Sequence, residues 1–161
     1  ADGFTVDAAR RRTGTKLLRG AGPLMIVELD GRERAVRSEI TELGRLLADF
    51  KPTFIQKGLG PEWCERFWKL RREFSYSLRD TGLTKLNEDV VVPMRSYLAL
   101  ARFLVRLRRE SGLAIPTFGH LADGNLHVNI MYHRADKKET RAAEEAVQLL
   151  METVHSLLLV L

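Results

Sequence analysis

The segment NLHVNIMY, residues 125–132, constrains the fold more than any other stretch of this sequence. Its residues alternate between apolar and polar, which is typical of a β-strand with two different faces. The apolar face would carry Leu126, Val128, Ile130 and Tyr132. The opposite face would carry His127, Asn129 and Met131. The turn sequence LADGN precedes this strand, so we predict an antiparallel hairpin with AIPTFGH, residues 114–120. The apolar face would belong to the core, and the opposite face would contain the functional side chains.

Strands and helices alternate along the rest of the chain. Further strands are predicted at residues 23–31, 53–59 and 89–92. Helices are predicted at residues 32–50, 62–78 and 94–112, and a last helix of about 25 residues follows the capping-box-like DKKE at 136–139. The order β-α-β-α-β-α-β-β-α favours an α+β domain. We predict helices packed on one face of a mainly antiparallel sheet, built from ferredoxin-like β-α-β units.

Length and composition describe an ordinary globular domain. The chain has 161 residues, of which 45% are hydrophobic and 29% charged, and no apolar run approaches the ~20 residues that cross a bilayer. Cys64 is the single cysteine, which excludes an internal disulfide and a multi-cysteine metal site. A chain without disulfides is typical of a reducing compartment, and we expect a cytoplasmic protein without a membrane span.

The net charge of +5 raises the question of an acidic partner. Basic residues concentrate at residues 10–19, 69–72 and 102–110. In the last of these segments Arg102, Arg106 and Arg109 recur at helical spacing, which indicates a solvated helix face. One alternative is a ferredoxin-like regulatory or nucleic-acid-binding module, and another is a positive field that attracts small anions. The predicted strands carry no aromatic platform for bases, so we expect no nucleic acid partner.

The predicted hairpin would bring His120 and His127 toward one pocket. Two neutral imidazoles are the beginning of a site for zinc or another divalent metal, but they are not a complete ligand set, and a structural pair of histidines is the alternative. A free-standing metallohydrolase would need a third ligand, and the sequence contains no HExxH motif. His133 and His155 are interpreted as ordinary residues, and Asp89 is expected to cap or pair structurally.

Three motifs in order resemble one protein family. FGHLADGNLHVNI is similar to the GHxGDGNxHxN signature of the C-terminal, substrate-side domain of FAD-linked oxidases and dehydrogenases of the glycolate oxidase, D-lactate dehydrogenase and D-2-hydroxyglutarate dehydrogenase type. FWKLRREFS, residues 67–75, resembles the family's W-x-x-R helix, and KLNEDVVVP, residues 85–93, resembles its DVxVP strand. Residues 1–161 are therefore identified as one such substrate-side or cap domain.

The resemblance implies a set of site residues. His120 and His127 would be metal ligands in those members that use a divalent metal, and His127 and Asn129 would be catalytic groups. The substrate-binding residues would be Arg71, Ser75, Lys85 and Asn129, with the arginine on the carboxylate. FAD would be bound mainly by a separate N-terminal domain of the same chain, and the residues of this domain that touch it are not identified.

The implied reaction is the oxidation of a small 2-hydroxy acid, in which a hydride passes to the flavin while a base takes the hydroxyl proton. The resemblance also implies a homo-oligomer and permits peripheral membrane association. The chain begins without methionine and ends in LLLVL, where the family's GGxxxGEHG segment would follow. We therefore expect a fragment that is inactive alone. In the turn, Ala122 stands where the family's commonest form has glycine, so we expect this residue to need only a negative φ.

Overall fold

The computed structural model describes residues 1–16 and 22–159, so the end of the basic segment 10–19 lies outside the described residues. The chain forms two compact units, which we describe separately. The larger unit contains Ala1–Leu24 and Glu73–Leu161, and the smaller unit is Met25–Arg72.

The secondary structure largely follows the predicted order. The helices are α1 (Gly3–Thr13), α2 (Glu33–Ala48), α3 (Pro61–Arg79), α4 (Tyr97–Ser111) and α5 (Lys137–Leu159). The strands are β1 (Thr84–Val91), β2 (Thr117–His120) and β3 (Asn125–Tyr132). The last four helices were predicted and are confirmed, whereas α1 was not predicted.

Local capping explains where these helices begin and end. The Asp2 side chain accepts a hydrogen bond from the Thr5 amide at 2.9 Å, which starts α1. Gly112 adopts a left-handed φ of 72° and ends α4, as predicted. Asp136 accepts from the amides of Lys138 and Glu139 at 2.8 and 3.2 Å, so the DKKE sequence does start α5.

The larger unit is built on a three-stranded sheet of order β1-β3-β2. The central strand β3 is antiparallel to both neighbours, which makes β1 and β2 parallel to each other. The sequence β1-α4-β2 is therefore a β-α-β unit split by β3, as in ferredoxin-like folds. The predicted α+β class, the antiparallel sheet and the hairpin of β2 with β3 are confirmed.

One face of the sheet forms the hydrophobic core. The side chains on this face of β3 are buried, and they are Leu126, Val128, Ile130 and Tyr132. Helix α4 packs against them through Leu100, Leu104 and Leu107, and α5 through Ala143, Ala146, Leu150 and Val154. Val128 and Ile130 are fully buried, so each contributes about 1.5–3 kcal/mol of hydrophobic stabilisation.

The other face of the sheet is only partly covered. Met131 is buried there, and the ring of Phe74 on α3 packs against Phe118 with centroids 5.9 Å apart. His127, which lies opposite Phe118, is half-buried, and His120 at the end of β2 is exposed. The two histidines are thus more accessible than Met131 and Phe118.

Two predicted strands are wrong. Residues 23–31 and 53–59 contain no strand in the structure, although their apolar runs indicated one. A strand needs a partner for its backbone N–H and C=O groups, and no residue of these two segments pairs in the described sheet. Sequence periodicity reports which side chains are apolar but not whether a partner strand lies beside them.

Two glycines shape the turn between β2 and β3. A Cβ atom on Gly119 would overlap the backbone of Asn125 and Leu126, and one on Gly124 would overlap the carbonyl oxygen of Val92. Gly124 also has a φ of 67°, which favours glycine. Ala122 lies in a 3₁₀ turn without a positive φ, as expected from the sequence.

We expect Gly124→Ala to destabilise the domain more than Gly112→Ala. Both glycines have positive φ, but only Gly124 has a backbone atom where the new methyl group would lie. Strain alone costs on the order of 1–3 kcal/mol, and the overlap adds to it at position 124. Urea unfolding measures both variants, and an equal loss of unfolding free energy would show that the contact with Val92 is unimportant.

Candidate functional site

The register of the sheet builds a polar face opposite the core. On β1, Asp89 lies opposite His127 and Asn87 opposite Asn129, while on β2 His120 lies opposite Asn125. Side chains of directly opposed residues point to the same side of a sheet. We call this surface the polar face, and it consists of Lys85, Asn87, Asp89, His120, Asn125, His127 and Asn129.

The structure brings the two predicted histidines together. The rings of His120 and His127 lie on the same face with centroids 6.0 Å apart and planes at 79°. The His127 side chain is 21% exposed and His120 is exposed, so a ligand can reach both rings. Their geometry agrees with the predicted convergence, and their role as metal ligands stays a prediction.

The polar face also contains a contact that the sequence reasoning did not assign to the site. His127 Nδ1 lies 2.5 Å from Asp89 Oδ1, and the same oxygen accepts a hydrogen bond from Asn87 Nδ2 at 3.1 Å. The hydrogen bond from His127 lowers the pKa of Asp89, which keeps this carboxylate ionised. The sequence pattern that could have assigned Asp89 to the site is the two-residue period of a strand, which places Asp89 on the same face of β1 as Lys85.

Lys85 and Ser75, which were both predicted to bind substrate, lie within hydrogen-bond distance of each other, and their role stays a prediction. Lys85 Nζ donates a hydrogen bond to Ser75 Oγ at 3.3 Å. Burial lowers the pKa of Lys85, the charge of Arg79 acts in the same direction, and the charge of Asp89 opposes both. Within residues 1–16 and 22–159 the ammonium forms no ion pair. A partly buried cation without a counter-ion favours the binding of an anion.

Asn129 is buried rather than open to solvent. Its side chain is fully buried, and Nδ2 donates to the carbonyl oxygens of Pro116 and His127, both at 3.2 Å. Both partners are acceptors, so the orientation of the amide is determined, and Oδ1 is left without a protein partner in the described structure. Asn129 therefore anchors the backbone of His127, and its predicted contact with substrate stays a prediction.

Arg71 belongs to the smaller unit and lies on α3. Its side chain is half-buried, and this burial lowers the pKa of the guanidinium without removing its charge. Its predicted role in holding a carboxylate stays a prediction.

A complete metal site is not present among the described residues. They contain no group of three or more His, Cys, Asp or Glu side chains that could hold a metal ion. A structural zinc site uses four ligands and a catalytic one three. His120 and His127 therefore supply at most part of a site, and the two imidazoles alone do not fit a tightly bound ion.

The described helices also include none that is long and apolar enough to span a bilayer.

Comparisons with known proteins assign the chain to a family. The family description "FAD linked oxidases, C-terminal domain" matches residues 1–157. The chain is 26% identical over 140 residues to the mitochondrial D-lactate dehydrogenase [cytochrome] of Arabidopsis thaliana, covering 84% of this chain and 24% of that protein.

A second relative is the glycolate oxidase subunit GlcD of Bacillus subtilis, which is 23% identical over 132 residues, covering 82% of this chain and 28% of that protein. The chain thus spans about a quarter of the length of the curated relatives that it matches. Because the family match extends over nearly all of its residues, the chain belongs to the family of C-terminal domains of FAD-linked oxidases.

Proposed function

We propose that this domain binds a small 2-hydroxy acid beside a flavin that is held mainly by an FAD-binding domain of the same protein. Family membership implies the use of FAD. The relatives are named for D-lactate and glycolate, which are both 2-hydroxy acids. The observation that carries the proposal is Lys85, a partly buried ammonium whose hydrogen-bond partner is the neutral Ser75.

A carboxylate would complete the surroundings of Lys85. The ammonium provides charge, and the hydroxyl of Ser75 provides a second donor once Lys85 no longer has to bond to it. Arg71 is proposed as a further carboxylate ligand, because a guanidinium can bond both oxygens at once. The ammonium of Lys85 and the hydroxyl of Ser75 together would hold the carboxylate of the acid.

His127 is proposed as the group that receives the hydroxyl proton of the substrate. FAD, when bound, supplies the acceptor for the hydride that leaves the α-carbon, and the product is a 2-oxo acid. His127 is suited to this role because its ring is held by Asp89 and its backbone by Asn129. A base that is held in place loses little orientational freedom when substrate binds.

The metal remains a separate proposal. His120 and His127 would provide two ligands for Zn²⁺ or another divalent ion only if a third ligand comes from a residue outside the described set. This ion would be an alternative to the proton transfer proposed for His127, because Nδ1 is bonded to Asp89 and the lone pair of Nε2 cannot both bind an ion and accept a proton. The cytoplasmic location, the homo-oligomer and peripheral membrane association also stay predictions.

We expect Lys85→Met to weaken the binding of glycolate and D-lactate to this chain. The variant keeps the length of the side chain but removes a charged hydrogen bond worth about 1.5–3 kcal/mol, so Kd should rise roughly 10- to 100-fold. NMR titration that follows the backbone amides of β1 and β3 measures this affinity.

Lys138→Met is the matched control, since Lys138 is exposed at the start of α5 and away from the sheet. Its affinity for both acids should equal that of the unsubstituted chain. If Lys85→Met binds the acids as tightly as the control, the proposed carboxylate site is wrong.

We also expect that the chain alone neither retains FAD nor oxidises 2-hydroxy acids. The chain spans about a quarter of its relatives' length, and the proposal assigns most flavin contacts to another part of the protein. Visible flavin absorbance that remains with the protein at equal molar amounts after gel filtration would contradict this expectation.

A further inference from the structure

We propose that Asp89 is a positioning residue that holds His127 in the tautomer with the proton on Nδ1, so that Nε2 presents its lone pair to the site. The inference rests on the proposed function, because that function gives His127 the role of proton acceptor. The contact itself is a property of the sheet and can be tested without substrate or cofactor.

The hydrogen-bonding capacity of the two groups determines the direction of this contact. An ionised carboxylate only accepts hydrogen bonds, so the proton between His127 Nδ1 and Asp89 Oδ1 belongs to the imidazole. A neutral imidazole carries a single N–H, and Nε2 is then unprotonated. Asn87 donates to the same carboxylate oxygen and so helps to hold Asp89 in its position on β1.

The backbone and the ring of His127 are both fixed around this contact. Asn129 Nδ2 donates to the His127 carbonyl oxygen at 3.2 Å, and the ring of Phe118 packs against the imidazole with centroids 5.0 Å apart. Within the described ranges, Nε2 forms no hydrogen bond. The nitrogen that remains available is therefore the one that can accept from a ligand, beside His120.

Asp89 thereby determines which ring atom carries out the chemistry. Without the carboxylate, the imidazole can carry its proton on Nε2, and the atom facing the ligand becomes a donor rather than an acceptor. A donor cannot receive the hydroxyl proton of a 2-hydroxy acid. Carboxylates that hold histidines in this way are known to set both the tautomer and the orientation of the ring.

The test is a long-range ¹H–¹⁵N NMR spectrum of the histidine-labelled chain at a pH where imidazoles are neutral. The unsubstituted chain should show His127 mainly as the Nδ1–H tautomer. In Asp89→Ala the ratio of Nδ1–H to Nε2–H should fall about tenfold or more, because a charged hydrogen bond is lost. Asp89→Glu, which restores a carboxylate, should recover part of the original ratio.

The chain provides a matched control in a second imidazole–carboxylate pair. His133 Nδ1 lies 3.0 Å from Glu139 Oε2 in the first turn of α5, and neither residue belongs to the polar face. Glu139→Ala should change the spectrum of His133 and leave that of His127 unchanged, whereas Asp89→Ala should do the reverse. This comparison separates a local effect from a general loss of structure.

If Asp89→Ala does not fold, Asp89→Asn keeps the shape of the side chain, removes the charge and should shift the ratio in the same direction. An unchanged Nδ1–H tautomer in the folded variant, or an Nε2–H tautomer in the unsubstituted chain, would overturn the proposal. Failure of the acids to bind while the tautomer behaves as expected would instead count against the proposed function.

Discussion

The pairing of β3 between β1 and β2 is the constraint on which the rest of the larger unit depends. This strand has neighbours on both edges, and its residues from Leu126 onward, apart from His127, are buried. A slip of one residue would exchange the two faces and move Val128 out of the core while placing His127 inside it. The hydrophobic effect therefore selects one register, and this register also determines the chemistry of the opposite face.

The polar face depends on the hydrophobic core of the opposite face, because burying some of its polar groups costs free energy. Asn129 Oδ1 has no protein partner in the described structure, and Lys85 is partly desolvated without an ion pair. An unsatisfied buried polar atom costs about 1–3 kcal/mol, so the core on the other face must offset it. Partly buried groups whose pKa is shifted, such as the ammonium of Lys85, are typical of functional sites.

The sequence predicted the parts of the fold that depend on local patterns. The limits of β3 agree with the alternating segment at 125–132, and Gly112 ends α4 where its position indicated. Helix α1 was not predicted, although Asp2 and Gly14 cap its ends, because its few apolar residues form only a weak stripe at helical spacing. The pairing of Asp89 with His127 was not assigned to the site, because it joins strands 38 residues apart and depends on a register that local patterns do not give.

Two motifs that are distant in the sequence meet at one turn, and this explains how they can act together. The amide of Val92, at the end of KLNEDVVVP, donates to the carbonyl oxygen of Gly124 at 3.1 Å, inside FGHLADGNLHVNI. The left-handed glycine brings its carbonyl to the end of β1 without a Cβ atom in the way. From that point the antiparallel register places Asp89 opposite His127 and Lys85 opposite Met131. The strand β1 therefore places an ammonium and a carboxylate on the polar face, and Val92, the residue after it, contacts the turn that carries the histidine motif.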